Sequence, residues 1–179
     1  MPANKELFKK YPNPIFIESG SFKGDGIQYA IDANFKTIYS IELSQNLYIQ
    51  CKKRFEGNKD IHLILGDSIY ELPILLKYID KPVTFWLDGH YSGILEGLQT
   101  ARGSEDNPLL KELDIISSHL IKIHTIIIDD LRGWYYEKCG FDTLELMKKI
   151  KAINLDYSFK LENGEIENDI LIAYVNTNK

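Results

Sequence analysis

The stretch Ile15-Phe16-Ile17-Glu18-Ser19-Gly20-Ser21-Phe22-Lys23-Gly24-Asp25-Gly26-Ile27-Gln28-Tyr29-Ala30 decides how the rest of the chain is read. A short apolar run ends on a carboxylate. Three glycines follow within seven residues, and an amphipathic segment starts at Ile27. This reads as a strand, a tight glycine turn and the start of a helix. Glycine reaches positive φ without a Cβ clash and lets backbone approach a ligand closely. The first N–H groups of the helix then face whatever lies over the turn.

Outward from this unit the pattern repeats. Residues 5–11 read as a helical turn that stops before Pro12 and Pro14. Strands are expected at 15–18, 37–41, 61–65, 83–87 and 123–128. The helix after the first spans about 25–34, with Asp25 as a cap. Ser44 caps the second, which carries Leu47, Ile49, Cys51 and Phe55 and stops at Gly57-Asn58. Ser68-x-x-Glu71 reads as a capping box for the third, with Pro73 in its first turn. Pro108 opens the fourth, which carries Leu109, Leu113, Ile116 and Leu120. The fifth spans about 141–152. The last stretch changes character: runs at 157–161 and 170–175 flank Asn163-Gly164, a hairpin signal. Five βα units imply a parallel sheet with helices on both faces, closed by an antiparallel hairpin.

The spacing Glu-x-Gly-x-x-x-Gly-x-Gly at Glu18 to Gly26 resembles the first motif of the class I S-adenosylmethionine-dependent methyltransferases. The Gly-x-Gly-x-x-Gly order of dinucleotide sites is absent. The likeness runs from Ile15 to Val175, with no repeat or linker. It implies one Rossmann-like α/β domain over 1–179, with a seven-stranded sheet whose last strand is antiparallel, and S-adenosylmethionine (SAM) as cofactor.

In an open parallel sheet, ligands bind beyond the carboxyl ends of the strands. Here those ends carry Glu18, Glu42, Gly66-Asp67, Asp88 and Asp129-Asp130. So many like charges on one edge are unfavourable unless a cation or a polyhydroxylated ligand engages them. The sulfonium and α-ammonium of SAM suit such a rim better than a pyrophosphate does. A carboxylate at Glu42 can accept from both ribose hydroxyls, and the resemblance assigns it that role. Glu18 and Gly20 would line the methionine end, with Ser21, Gly24, Gly26 and Asp88 in the same cofactor set. Asp67 would accept from the adenine amino group beside Ser68, although both residues serve equally well as helix caps.

On the acceptor side, Asp88, Asp129 and Asp130 offer three hard oxygen ligands for Mg²⁺ or another divalent cation. This resembles the divalent-metal, catechol-type O-methyltransferases, which carry an aspartate after strand 4 and an acidic pair after strand 5. Those enzymes place a lysine three residues after the first aspartate. Tyr91 stands there in this chain, and the adjacent His90 is the better candidate base at neutral pH. His90 and Asp88 are therefore the catalytic candidates. Trp134-Tyr135-Tyr136 could stack on a planar acceptor, and the long 89–107 stretch is read as a lid.

Composition narrows the class. The net charge of −5 argues against a nucleic-acid track. No apolar run approaches the ~18–20 residues needed to span a bilayer, and the N-terminus lacks a signal-peptide core. Cys51 and Cys139 form no Cys-x-x-Cys pair. The expectation is a cytoplasmic enzyme with no membrane partner, compatible with a homodimer. It would methylate a small-molecule acceptor, a hydroxyl oxygen being favoured. The competing readings are a methyltransferase-fold binding module without catalysis and an NAD-dependent oxidoreductase.

Overall fold

The computed structural model describes residues 5–132 and 142–176. Its elements, in order, are α1 (Lys5–Lys10), β1 (Ile15–Ser19), α2 (Asp25–Asp32), β2 (Ile38–Glu42), α3 (Gln45–Arg54), β3 (Ile61–Leu65) and α4 (Ser68–Leu76). Then come β4 (Val83–Leu87), β5 (Ile94–Leu95), β6 (Leu98–Gln99), α5 (Leu109–Ser118), β7 (Thr125–Ile128), α6 (Thr143–Ile153), β8 (Ser158–Glu162) and β9 (Ile170–Tyr174).

Seven strands form one sheet in the order β3-β2-β1-β4-β7-β9-β8. The first five are parallel, and β9 runs antiparallel between β7 and β8. β1 and β4 lie side by side in the middle, because the chain moves outward from β1 to β3 and then returns to β4 on the other side. Such a reversal opens a crevice at the strand carboxyl ends.

Strand alternation sorts the core into two layers. Ile15 and Ile17 face one layer with Leu72, Leu113, Ile116, Leu146 and Ile150, from α4, α5 and α6. Phe16 and Trp86 face the other with Phe8, Ile27, Ala30 and Cys51, from α1, α2 and α3. Each fully buried Phe, Ile or Leu contributes about 1.5–3 kcal/mol relative to exposure, so both helix layers are anchored by the sheet.

Several local expectations are corrected. Gly24, not Asp25, caps α2, with φ 84°. The Asp25 carboxylate instead accepts from Arg54 Nη1 at 2.7 Å. Asp67, not Ser68, caps α4, accepting from the Ile69 N–H at 3.0 Å. Pro73 is the sixth residue of α4 and lies beyond its first turn. Pro108 is the cap of α5, one residue before the helix. Leu120 falls past the end of α5 and is exposed. β7 starts at Thr125, two residues later than expected. The 89–107 stretch contains the β5–β6 hairpin, turned by Glu96 (φ 48°) and Gly97 (φ 77°), a pair of positive φ values that suits a tight hairpin. The β8–β9 connection covers 163–169 and is longer than an Asn-Gly two-residue turn.

Candidate functional site

Backbone hydrogen bonding continues one residue past the strands and draws their tips onto one rim. The Gly20 N–H donates to Ile41 O, the Gly66 N–H to Glu42 O, the Asp88 N–H to Ser19 O and the Asp129 N–H to Leu87 O. At the β1/β4 junction Gly20 has φ 86°, and a Cβ there would meet the Asp88 carbonyl oxygen at 2.6 Å. Only glycine permits this approach. Gly26 has a different reason: a Cβ there would lie 1.8 Å from Glu18 Oε1. Gly24 packs against Phe55 and Cys51.

A cavity of about 660 Å³ opens on this rim, within the range of small-ligand sites. Of the residues singled out from sequence, Gly20, Glu42, Asp67, Ser68, Asp88 and His90 line it, as do Asp129 and Asp130. Glu18, Ser21 and Gly26 line a smaller cavity of about 80 Å³, which shares Gly20, Asp88 and Asp129 with the first. Gly24 lines neither.

Glu42 is buried at the end of β2 with its oxygens oriented by backbone. Oε2 accepts from the Phe22 N–H at 2.9 Å and Oε1 from the Ser44 N–H at 2.7 Å. The backbone N–H groups of Leu43 and Ser21 also face this carboxylate. Burial pushes its pKa up, and the backbone N–H groups oppose that shift. Phe22, with φ 46°, is a bulky residue in the left-handed region, a strained conformation that the bond to Glu42 helps to hold.

Glu18 is 1% exposed and accepts from Ser40 Oγ, which also contacts Ser21 Oγ. Burial raises its carboxyl pKa to about 8. Asp67 is engaged on both oxygens: Oδ1 by the α4 cap, Oδ2 by the Ser104 N–H and hydroxyl at 2.9 and 3.0 Å. It thus ties the loop before α5 to the tip of β3, and that role competes with adenine recognition.

Beyond the ends of β4 and β7, His90 lies between two carboxylates. Its Nδ1 is 3.5 Å from Asp88 Oδ1 and its Nε2 is 3.3 Å from Asp130 Oδ2. Asp130, with φ 60°, pairs with Arg132, whose Nη1 reaches Glu165 Oε2 at 2.6 Å and Asp169 Oδ2 at 3.1 Å. Asp129 Oδ1 accepts from the Asp130 N–H at 2.8 Å. Burial, then the nearby Asp169, raises the Asp129 pKa to about 8. Asp88 is also held well above the usual range, by burial and then by Asp129.

The expected metal set is regrouped. Potential ligand atoms of Asp88, His90 and Asp130 lie within 4.8 Å of one another, and those of Asp129, Asp130 and Asp169 form a second such group. Asp88 and Asp129 fall in different groups. Hard oxygens plus one imidazole are a chemically competent donor set for a divalent cation. In the second group Arg132 already supplies positive charge.

Arg132, Asp169 and a third residue, Glu112, were missed in the sequence. Arg132 and Asp169 meet only through the β7–β9 pairing, as seen in the Leu131 N–H bond to Asp169 O. No local motif encodes that. Glu112 follows Lys111 and reads as a surface charge, yet it sits on the buried face of α5 at 1% exposure. Trp134-Tyr135-Tyr136 and Cys139 lie outside the described residues.

No family model matches the chain, and no curated protein matches it in sequence. Solved structures do match in fold. The SAH-bound Podospora anserina methyltransferase PaMTH1 aligns over 96% of this chain and 75% of that chain, with 12% identity and a TM-score of 0.65. The Streptomyces achromogenes O-methyltransferase TomG, involved in tomaymycin synthesis and solved with SAM, aligns over 96% and 77%, with 10% identity and a TM-score of 0.62. An rRNA methylase from Streptococcus thermophilus aligns over 96% and 93%, with 10% identity and a TM-score of 0.60. The strand order, the single antiparallel insertion of β9 and these likenesses agree: the chain has the class I S-adenosylmethionine-dependent methyltransferase fold.

Proposed function

We propose that the chain is a SAM-dependent methyltransferase that acts on a small-molecule acceptor, with a hydroxyl oxygen as the favoured target. The observation that carries this reading is the junction of Gly20 with the Asp88 carbonyl, flanked by Glu42, at the mouth of the 660 Å³ cavity. Glu42 accepts from the ribose hydroxyls through its oriented carboxylate oxygens. Glu18 and Asp88 face the methionine end and its sulfonium, and they supply negative charge there as they ionise, which a bound cation favours. The net charge of −5 and the acidic lining favour an uncharged or cationic small acceptor over a polyphosphate backbone.

His90 accepts the proton of the acceptor hydroxyl, and Asp88 and Asp130 stabilise the imidazolium that results. The methyl group passes from sulfur to oxygen, and the sulfonium becomes the neutral thioether of S-adenosylhomocysteine (SAH). Where a divalent cation takes part, Asp88, His90 and Asp130 would hold it, and it would lower the pKa of the bound hydroxyl. His90 then serves as a ligand and no longer as the base.

The test is transfer of a labelled methyl group from SAM to a panel of hydroxylated acceptors, with and without a chelator. His90→Ala is expected to reduce turnover about 10²–10⁴-fold, the usual contribution of a general base. A wild-type chain that binds SAM yet methylates nothing in the panel, with turnover to water also absent, would favour a binding module.

A further inference from the structure

Beneath the cofactor crevice lies a carboxyl group that the proposed chemistry does not use. Glu112 stands on α5 among Leu109, Leu113 and Ile116, on the face turned to the core. It meets three separate parts of the crevice. Its side chain faces the hydroxyls of Ser68, the first residue of α4, and Ser19, the last residue of β1. Its Oε1 also lies behind Gly89, where a Cβ would come within 3.6 Å of it and within 3.3 Å of Ser19 Oγ. Gly20, Ser68 and Gly89 form part of the cavity lining, and Glu112 lies one layer behind them.

The group is costly where it stands. Neither Glu112 Oε1 nor Ser19 Oγ, both buried, completes a well-formed hydrogen bond among the described residues, and the Ser68 and Ser19 hydroxyls beside the carboxyl oppose the effect of its burial without cancelling it. A leucine would suit the surrounding apolar stripe better, because a buried, half-satisfied acid destabilises a fold. A cost of this kind is characteristic of a functional site, where stability is given up for geometry. Serines and a glycine converging on one acid from β1, α4 and the turn after β4 define what that geometry is.

We propose that Glu112 is a positioning residue for cofactor binding: from behind the crevice it holds the Ser19–Gly20 tip of β1, the Gly89–His90 turn and Ser68 in one register. It acts through these residues and does not touch the cofactor. The inference rests on the methyltransferase reading, since SAH is its probe.

The experiment is calorimetric titration of the full chain with SAH, beside thermal unfolding, for wild type, Glu112→Leu and Glu112→Gln. Glu112→Leu fills the volume without the polar group. It is expected to leave the unfolding temperature unchanged or raised while weakening SAH binding about tenfold, since small displacements of site residues have effects of this size or larger. Glu112→Gln keeps the shape and hydrogen-bonding capacity and is expected to retain most of the affinity. Equal SAH affinity in wild type and Glu112→Leu overturns the proposal, and so does a lowered unfolding temperature with unchanged affinity. If Glu112→Leu does not fold, Glu112→Asp decides: it withdraws the carboxyl by one methylene and is expected to show the same loss, and wild-type affinity there is contradictory. Wild-type protein that binds no SAH overturns the methyltransferase reading itself, a different result from a variant that binds normally.

Discussion

Glu18, Gly26 and Glu42 carry the site at the residue scale, and each makes a distinct demand. Because a Cβ at Gly26 would sit 1.8 Å from Glu18 Oε1, Gly26→Ala must displace a buried carboxylate. We expect a loss of about 1–3 kcal/mol in denaturant unfolding. Pairing Gly26→Ala with Glu18→Ala should cost less than the sum of the two, because the clash is shared. Strict additivity would show that the two side chains do not meet. Glu42→Ala removes the acceptor for the Phe22 and Ser44 N–H groups as well as the proposed ribose contact, so SAH affinity should fall by about 1.5–3 kcal/mol or more in calorimetry. Unchanged affinity would remove the ribose role. The strand that ends in an acid, the glycine turn and the helix start after it were legible in the chain as local structure. What could not be read was conformation and long-range pairing. Nothing local signals that Phe22 and Asp130 adopt positive φ, or that Arg132 finds Asp169.

Among the elements, the far end of the sheet holds a chain of two histidines. The Val83 N–H donates to His124 Nδ1 at 3.1 Å, so His124 carries its proton on Nε2, 3.0 Å from His119 Nδ1. His119 Nε2 then donates to Ile79 O at 3.0 Å. This chain joins the starts of β4 and β7 to the end of α5, on the opposite edge from the crevice. Burial lowers the His124 pKa from 6.5 to about 4, with His119 and Lys122 acting in the same direction. The unfolded chain therefore takes up the proton first as pH falls. The contribution of His124 is complete above about pH 6.5 and declines toward pH 4, by ~3 kcal/mol at most. Urea unfolding of wild type and His124→Gln should show the difference between them shrinking from about pH 7 to pH 5. A constant difference would mean that His124 is not held neutral. Strand identity followed from the apolar runs and their spacing, and Ser44 caps α3 as read, but two other caps did not follow: Gly24 and Asp67 replaced Asp25 and Ser68 because Asp25 was taken by Arg54 and the Asp67 carboxylate reached the Ile69 N–H.

For the whole molecule, the governing feature is the collection of buried acids around one crevice. Burial raises Glu18 and Asp129 to about 8 and Glu112 to about 7. Each such group contributes stability that is present below its unfolded pKa and is lost as pH rises through the folded value. As it ionises, the same rim becomes a better host for positive charge. SAM is a sulfonium and SAH is a neutral thioether of nearly the same shape, so the pair reports on that charge. No helix among the described residues is long and apolar enough to cross a membrane. The most direct measurement is calorimetry of the wild-type chain with SAM, SAH and NAD at about pH 6 and about pH 8.5, on either side of those titrations. The account predicts one site for SAM and SAH, no binding of NAD, and a gain of SAM over SAH at the higher pH. Binding of NAD without SAM or SAH, or a SAM-to-SAH ratio that falls with pH, would contradict it.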